Sequence, residues 1–449
     1  MGNSHETYVS PTFEELDNRL TNKYRIDGPG MAVLVIQDGQ TLLRKGYGLA
    51  NLEWQIPVLP NTVFRIGSVT KQFTAVLTLM LLEQGKLSLQ DPIEKFIPDY
   101  PTHGHQITVE HLLTHMSGIK SYTGMKSWPG DWGKSFSLNE LIDYFKTQPM
   151  DFTPGQKWAY SNSGFVLLGA IIEKCAGMAY NQFLQESILK PLEMTSTWLE
   201  LPGLLIPRRA AGYSKNATSY QPAPYISMTQ PLAAGGMVST VDDLASWDAA
   251  LYGEMLISAE SLRRAHTPKS LPDGSSTHYG FGWAIHDYGG NEVIGHGGGI
   301  HGFVCDILRI PTKRIFVAVL TNCDKPELSP ENVTFRAALQ ALGLAYPEPA
   351  KIELTEADLL IFVGKYEIEP GAVFTILYRE GELWMAWPDQ DKPIKLKPSG
   401  KAEVFDPDNS LYKNKLLPDE AGTGWLIESR NPYNEVQFKA KKAANVSSL

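Results

Sequence analysis

The chain has 449 residues, 43% hydrophobic and 20% charged, enough for a large buried core and two or three domains of an ordinary globular protein. A balance of 40 basic against 49 acidic residues leaves a net charge of −9 with no basic stripe, so nucleic acid is not an expected partner. No stretch reaches the roughly 18 continuous apolar residues of a membrane span, and the 3 cysteines lack the spacing of a disulfide framework or a zinc site.

The opening Met1-Gly2-Asn3-Ser4-His5-Glu6 carries no apolar run and does not read as a signal peptide. The chain is therefore expected to be cytoplasmic as written, or secreted or periplasmic if a signal peptide has been removed. Residues 12–23 read as a helix. Strands over 31–36 and 41–47 turn at Asp38-Gly39, an antiparallel hairpin signal. A strand-like run then ends at Ile66 and is broken by Gly67. Phe73, Val76, Leu77, Met80 and Leu81 follow at i, i+3, i+4, i+7 and i+8, the stripe of a helix buried on one face, with Gly85 at its C-terminal stop.

From about 91 to 200 the pattern is mostly helical. Thr108 is placed to cap a short helix holding His111, Leu112, Leu113 and His115, and 120–137, rich in Gly, Ser, Trp and Lys, reads as a surface loop. Helices are expected over 138–145, 165–175 and 179–189, then over 242–251 behind a Thr240 cap. Strands return at 282–286, 292–295, 302–310 and 314–321, and a helix at 331–342. This order of sheet, helical insertion and sheet predicts an α+β fold with a discontinuous sheet lobe and a helical lobe.

Pro347-Glu348-Pro349 reads as a linker. Beyond it come short strands at 374–378, 383–387, 394–396, 425–429 and 436–439, with turns at Gly371, Glu380-Gly381, Ser399-Gly400 and Pro407-Asp408. That spacing predicts a small antiparallel barrel or sandwich. The expected domains are 1–345 and 346–449.

Three groups could carry chemistry. In Ser68-Val69-Thr70-Lys71 the amine lies one turn from a hydroxyl at a helix start. A partly buried amine there can help remove the hydroxyl proton, and the helix N-terminus favours negative charge. Tyr160-Ser161-Asn162 precedes the 165–175 helix, with Tyr160 and Asn162 on one side of an extended segment. A phenol near ammonium groups can be driven toward phenolate and act as a base, and Asn162 could meet a substrate carbonyl or orient Lys71. The stretch from Gly295 to Phe303 holds His296, Gly297, Gly298 and Gly299 between two strands, where glycines permit close backbone approach and expose N–H groups. His296 is expected to line the cleft, with Gly298 and Gly299 beside it. His111 and His115 have the spacing of a metal pair but no obvious third ligand, so no metal is expected.

These groups, in this order, resemble the motifs S-x-x-K, Y-x-N and K/H/W-x-G of the serine β-lactamase / penicillin-binding protein superfamily. Within it they are most similar to the class C-type branch, the S12 peptidase or CubicO group. Leu112-Leu113-Thr114-His115-Met116-Ser117-Gly118, the turn Ala233-Ala234-Gly235-Gly236-Met237 and Tyr279-Gly280-Phe281-Gly282-Trp283 resemble further segments of that group. The part starting Val363-Gly364-Lys365-Tyr366 resembles the lipocalin-like barrels appended to some members. The resemblance implies a β-lactamase/transpeptidase-like fold with a cleft between its lobes, and an acyl-enzyme mechanism without metal or organic cofactor. It implies Ser68 as nucleophile, Lys71 as its activating partner and Tyr160 as general base and then acid. Asn162 would position substrate, and the Ser68 and Gly299 backbones would form the oxyanion hole.

The third motif departs from typical β-lactamases, which place Lys where this chain has His296, a side chain largely neutral near pH 7. The expected activity is thus a serine hydrolase of small esters or short peptides and amides, including D-residues. The alternatives are a true β-lactamase or D-Ala-D-Ala carboxypeptidase, and a non-catalytic penicillin-binding-like binding or assembly protein. The barrel, with no catalytic grouping of its own, is expected to shape access to the cleft or to mediate self-association into a homo-oligomer.

Overall fold

The computed structural model describes residues 7–24, 27–216, 219–346, 352–368, 371–388, 393–405, 412–419, 425–433 and 435–443. The expected linker Pro347-Glu348-Pro349 and the turn at Pro407-Asp408 lie outside the described residues. The chain divides into two compact units, the second formed mainly by Leu344–Leu449.

The first unit is built on a seven-stranded antiparallel sheet. Its spatial order is Tyr8–Val9, Gln40–Tyr47, Met31–Gln37, Ile315–Thr321, Phe303–Ile310, Asn291–Ile300 and Ala284–Tyr288. Two segments far apart in sequence meet at its centre, where Val33 pairs with Val319 and Ala32 with Leu320. Ile315–Thr321 is buried at every residue, the mark of a strand covered on both faces. Between the two halves of the sheet the chain is mainly helical, as the sheet–insertion–sheet order predicts.

The helix Thr70–Glu83 differs from its expected one-faced burial: every residue from Thr70 to Leu81 is buried. Its second face is small or polar rather than exposed, and its polar groups find partners inside. Thr74 Oγ1 donates to the Ala233 carbonyl at 2.6 Å, and Gln72 Oε1 accepts from Trp247 Nε1 at 3.0 Å. Each fully buried aliphatic or aromatic side chain on the other face stabilises this placement by roughly 1.5–3 kcal/mol. The helix is a central post of the unit.

The glycine-rich segment is also different. Instead of lying between two strands it is a strand, Asn291–Ile300, paired residue for residue from Ile294 with Arg309 to Ile300 with Phe303. The low strand propensity of glycine hides this from a sequence pattern. Its glycines serve close approach: a Cβ on Gly298 would sit 2.1 Å from the Ile66 carbonyl oxygen. The 120–137 segment is not a plain surface loop either. It holds a 3-10 turn, Tyr122–Gly124, and a short helix, Trp128–Asp131, and Tyr122 is buried. The 179–189 helix changes character, α over Tyr180–Leu184 and π over Gln185–Leu189. Among the described residues no single helix is long and apolar enough to cross a membrane.

The second unit contains a closed eight-stranded antiparallel barrel, with Gly364–Ile368 closing onto Val436–Lys442. Five of its strands match those expected, and Gly364–Ile368, Glu403–Phe405 and Lys413–Pro418 are additional. Tyr366, Phe374, Ile376, Leu383, Leu396, Val404, Leu416 and Ile427 fill its core.

Candidate active site

Ser68 sits in a 3-10 turn, Gly67–Val69, that leads directly into the helix Thr70–Glu83. Gly67 has φ +47°, and a Cβ there would lie 2.8 Å from the Gly299 amide nitrogen. Only glycine suits both the left-handed backbone and the contact. The turn is thereby pressed against the strand Asn291–Ile300, with the Gly299 backbone beside Ser68.

Lys71 is fully buried. Its Nζ lies 3.1 Å from Ser68 Oγ, 2.8 Å from Asn162 Oδ1 and 2.7 Å from the Ala234 carbonyl oxygen. None of these partners is charged, and burial holds the Lys71 pKa well below its ordinary value of 10.5. Asn162 Oδ1 and the Ala234 carbonyl can only accept, so the amine donates to both, with Ser68 Oγ as its third partner. Asn162 is the first residue of the helix Asn162–Ala176, whose N-cap is Ser161. Its Nδ2 donates to Thr123 Oγ1 at 3.0 Å, which fixes its amide orientation.

Tyr160 packs its ring 4.7 Å from Lys71 Nζ. Burial raises its pKa well above 10, with the nearby Ser68 hydroxyl pulling it partly back. Its Oη has no partner meeting both hydrogen-bond distance and angle. Burial thus favours the protonated phenol over the phenolate.

Behind Tyr160 lies an aromatic cluster. His115, beyond the end of the helix Val109–Leu113 and at φ +58°, is buried with its ring 4.2 Å from that of Tyr160 and 4.8 Å from that of Tyr279. His115 Nδ1 accepts from the Ser161 amide at 3.1 Å, so the ring braces both Tyr160 and the helix start. His111 lies inside the short helix and closes its capping box with Thr108. The two histidines thus do separate structural work.

His296 is turned inward. Its Nδ1 lies 2.6 Å from the Gly297 carbonyl, which can only accept, so Nδ1 carries the proton and Nε2 accepts from Tyr279 Oη at 2.8 Å. Burial and the neighbouring Lys71 push its pKa down to about 4. Ser68, Asn162 and Gly299 line the cleft, whereas Lys71, Tyr160, His296 and Gly298 are not among its lining residues.

The cleft holds about 410 Å³. Tyr122, Trp128, Ile226, Pro231, Ile300 and Phe303 form its apolar walls, with Thr123, His301 and Asp324 as further polar groups. Gln230 organises one wall: its Nε2 donates to the carbonyls of Asp131, Trp132 and Lys134, and its Oε1 accepts from Trp128 Nε1. Sequence reading missed Ala234, His115, Tyr279, Gln230 and Asp324. Three of them, His115, Ala234 and Tyr279, lie in segments already singled out by resemblance.

The Beta-lactamase family model matches residues 16–342. A penicillin-binding protein of Bacillus subtilis (strain 168) is 29% identical over 436 residues, covering 92% of this chain and 95% of its own length. The D-aminopeptidase of Gluconobacter oxydans is 31% identical over 350 residues, 76% of this chain. That match spans 63% of the D-aminopeptidase, under two thirds of its length. Among solved structures, the octameric penicillin-binding protein homologue from Pyrococcus abyssi has a TM-score of 0.69 and 27% identity, covering 96% of this chain and 99% of its own. The D-amino acid amidase from Ochrobactrum anthropi SV3 has a TM-score of 0.64 and 26% identity, covering 74% of this chain and 99% of its own. By this match, over residues that include Ser68, Lys71, Tyr160 and Gly299, the chain belongs to the Beta-lactamase family.

Proposed function

We propose that the protein is a serine hydrolase that cleaves small esters and short peptides or amides, D-amino-acid derivatives among them, through an acyl-enzyme on Ser68. The observation that carries this reading is the buried Lys71 amine, in hydrogen-bond contact with Ser68 Oγ, Asn162 Oδ1 and the Ala234 carbonyl, its pKa held well below the ordinary value by burial. D-residue substrates are suggested by two of the relatives, a D-aminopeptidase and a D-amino acid amidase.

In the proposed acylation, Lys71 takes the Ser68 proton as Oγ attacks the substrate carbonyl carbon. The carbonyl π pair moves onto oxygen, and the backbone N–H groups of Ser68 and Gly299 stabilise the resulting oxyanion. As the carbonyl re-forms, the C–N or C–O bond breaks. Tyr160 donates its phenolic proton to the leaving group and recovers one from the Lys71 ammonium. Water then attacks the ester by the same path in reverse, returning Ser68 and releasing the acid. The protonated Tyr160 supports a role as acid relay rather than as first base.

His296 supports the choice among family activities. Neutral, buried and fully hydrogen-bonded, it offers no cation to a substrate carboxylate. This favours esters and amides over the carboxylate-bearing substrates of a β-lactamase or carboxypeptidase. The barrel is proposed to mediate self-association, supported by the octameric homologue. A panel of p-nitrophenyl esters, D- and L-amino-acid amides, nitrocefin and D-Ala-D-Ala peptides tests the reading. Turnover of the first two classes, lost in Ser68→Ala, is expected. Turnover confined to nitrocefin or D-Ala-D-Ala peptides would overturn the substrate assignment.

A further inference from the structure

A second cavity adjoins the cleft. It holds about 180 Å³, and His301 and Phe303 line both spaces. Arg65 and Arg209 form its cationic wall, and no acidic residue lines it. Both arginines stand on fixed backbone. Arg65 ends the strand Phe64–Arg65 and pairs with Val238. On either side of Arg209, the Val63 amide donates to the Arg208 carbonyl and the Ala210 amide donates to the Val63 carbonyl.

One carboxylate serves both guanidiniums. Glu200 Oε2 accepts from Arg65 Nε at 2.8 Å, and its Oε1 accepts from Arg65 Nη2 at 3.0 Å and from Arg209 Nη1 at 2.7 Å. Two positive charges thus share one negative charge. A guanidinium carries five N–H donors, so donors remain on both after Glu200 is satisfied. The Arg65 and Arg209 side chains keep 16% and 44% of their surface exposed, so a ligand in the cavity can reach them. Arg65 is also set against the shared wall, its guanidinium 5.7 Å from the centre of the Phe303 ring.

The cavity lies on the acyl side of Ser68. The strand Asn291–Ile300 passes Ser68 at Gly299, with His296 on one side and Ile300 on the other. Tyr160, which protonates the leaving group in the proposed mechanism, has its ring 6.0 Å from that of His296. The leaving group therefore lies toward His296, and the acyl group is directed past Ile300 toward His301 and the second cavity. His296 and Ile300 are about 13 Å apart at the rise of an extended strand.

We propose that Arg65 and Arg209 form a carboxylate-binding subsite for the far end of the substrate's acyl group. The planar guanidinium fork matches a carboxylate, and the uncompensated positive charge attracts one. This rests on the hydrolase reading for the direction of the acyl chain, but its test needs no turnover. The position where typical β-lactamases place Lys is His296, toward the leaving group, so this carboxylate is a different one. The substrate class narrows to esters and amides whose acyl chain ends in a carboxylate.

The test is binding to the full-length Ser68→Ala protein, measured by calorimetry with the mono-p-nitroanilides of adipic, suberic and sebacic acids and with their uncharged terminal carboxamides. At one chain length the acid is expected to bind about tenfold more tightly than its carboxamide, the usual weight of hydrogen bonds to a charged group. Arg209→Gln in the same background should abolish that preference, and Arg209→Lys should retain part of it. Equal binding of acid and carboxamide at every length, binding of neither, or a preference that survives Arg209→Gln would overturn the proposal. The comparison of acid with carboxamide decides by itself if the Arg209 variants do not fold. Failure of the hydrolase reading appears separately, as absence of ester and amide turnover by the unaltered protein.

Discussion

Lys71 Nζ meets Ser68 Oγ at 3.1 Å in a site where all three of its hydrogen-bond partners are uncharged. Lys71 is the group we propose to take the serine proton. No carboxylate stands beside the buried amine, so burial holds its pKa well below the ordinary value, while burial raises that of the Tyr160 phenol.

Replacing that amine tests the assignment. Lys71→Met should lower the acylation rate by about 100- to 10,000-fold, the usual weight of a positioned general base. The pH profile adds a second readout. Protonation removes the lone pair, so the native rate should fall as pH drops through the folded Lys71 pKa, which lies well below 10.5. The residual rate of Lys71→Met should lack that limb in stopped-flow measurements across pH.

Tyr160→Phe should separate leaving groups. A p-nitrophenolate departs without a proton, whereas an amine does not. The variant is therefore expected to lose amide hydrolysis by at least tenfold more than p-nitrophenyl ester hydrolysis. Equal losses on both substrates would remove Tyr160 from the proton path.

His296 makes a stability prediction. Its folded pKa of about 4 lies below the ordinary value of 6.5, so the unfolded chain takes up the proton first. Its contribution is complete above about pH 6.5 and is lost as pH falls toward 4, at up to about 1.4 kcal/mol per pH unit. His266, pushed down to about 3 by burial, acts in the same direction. Asp248, raised to about 6 by burial, acts in the opposite one, gaining stability as pH falls through 6. His296→Gln should flatten the slope of unfolding free energy between pH 4.5 and 6.5 by about that one-proton amount, read from urea titrations.

Gly298 tests the contact that positions the nucleophile turn. A Cβ there meets the Ile66 carbonyl oxygen at 2.1 Å and Cys305 Sγ at 2.6 Å. Gly298→Ala should destabilise by roughly 1–3 kcal/mol and lower activity by displacing the turn that carries Ser68. Gly253→Ala, where a Cβ meets nothing within 4 Å, is the control and should leave both unchanged.

These sites differ in how far the sequence reveals them. Ser68 and Lys71 are legible because one helical turn joins them, and Tyr160 and Asn162 because two residues separate them. Ala234 is not, since it acts through a backbone carbonyl that no side chain announces. The direction of His296 was not legible either. Its glycine-rich neighbours look like a loop, and in a strand the inward or outward choice depends on pairing with Ile307. The segment 120–137 was misread because its order comes from Gln230, about a hundred residues later, which binds three of its carbonyls. The barrel strands Glu403–Phe405 and Lys413–Pro418 were missed because one is short and the other carries Lys, Asn and Pro.

The central claim is that Ser68 carries the acyl group. Intact mass spectrometry of the folded protein, quenched in acid during turnover of a p-nitrophenyl ester, tests it most directly. The predicted result is a mass increase equal to the acyl group, mapped to the peptide containing Ser68 and absent in Ser68→Ala. Turnover that persists in Ser68→Ala, or an acyl group mapped to another residue, would contradict it.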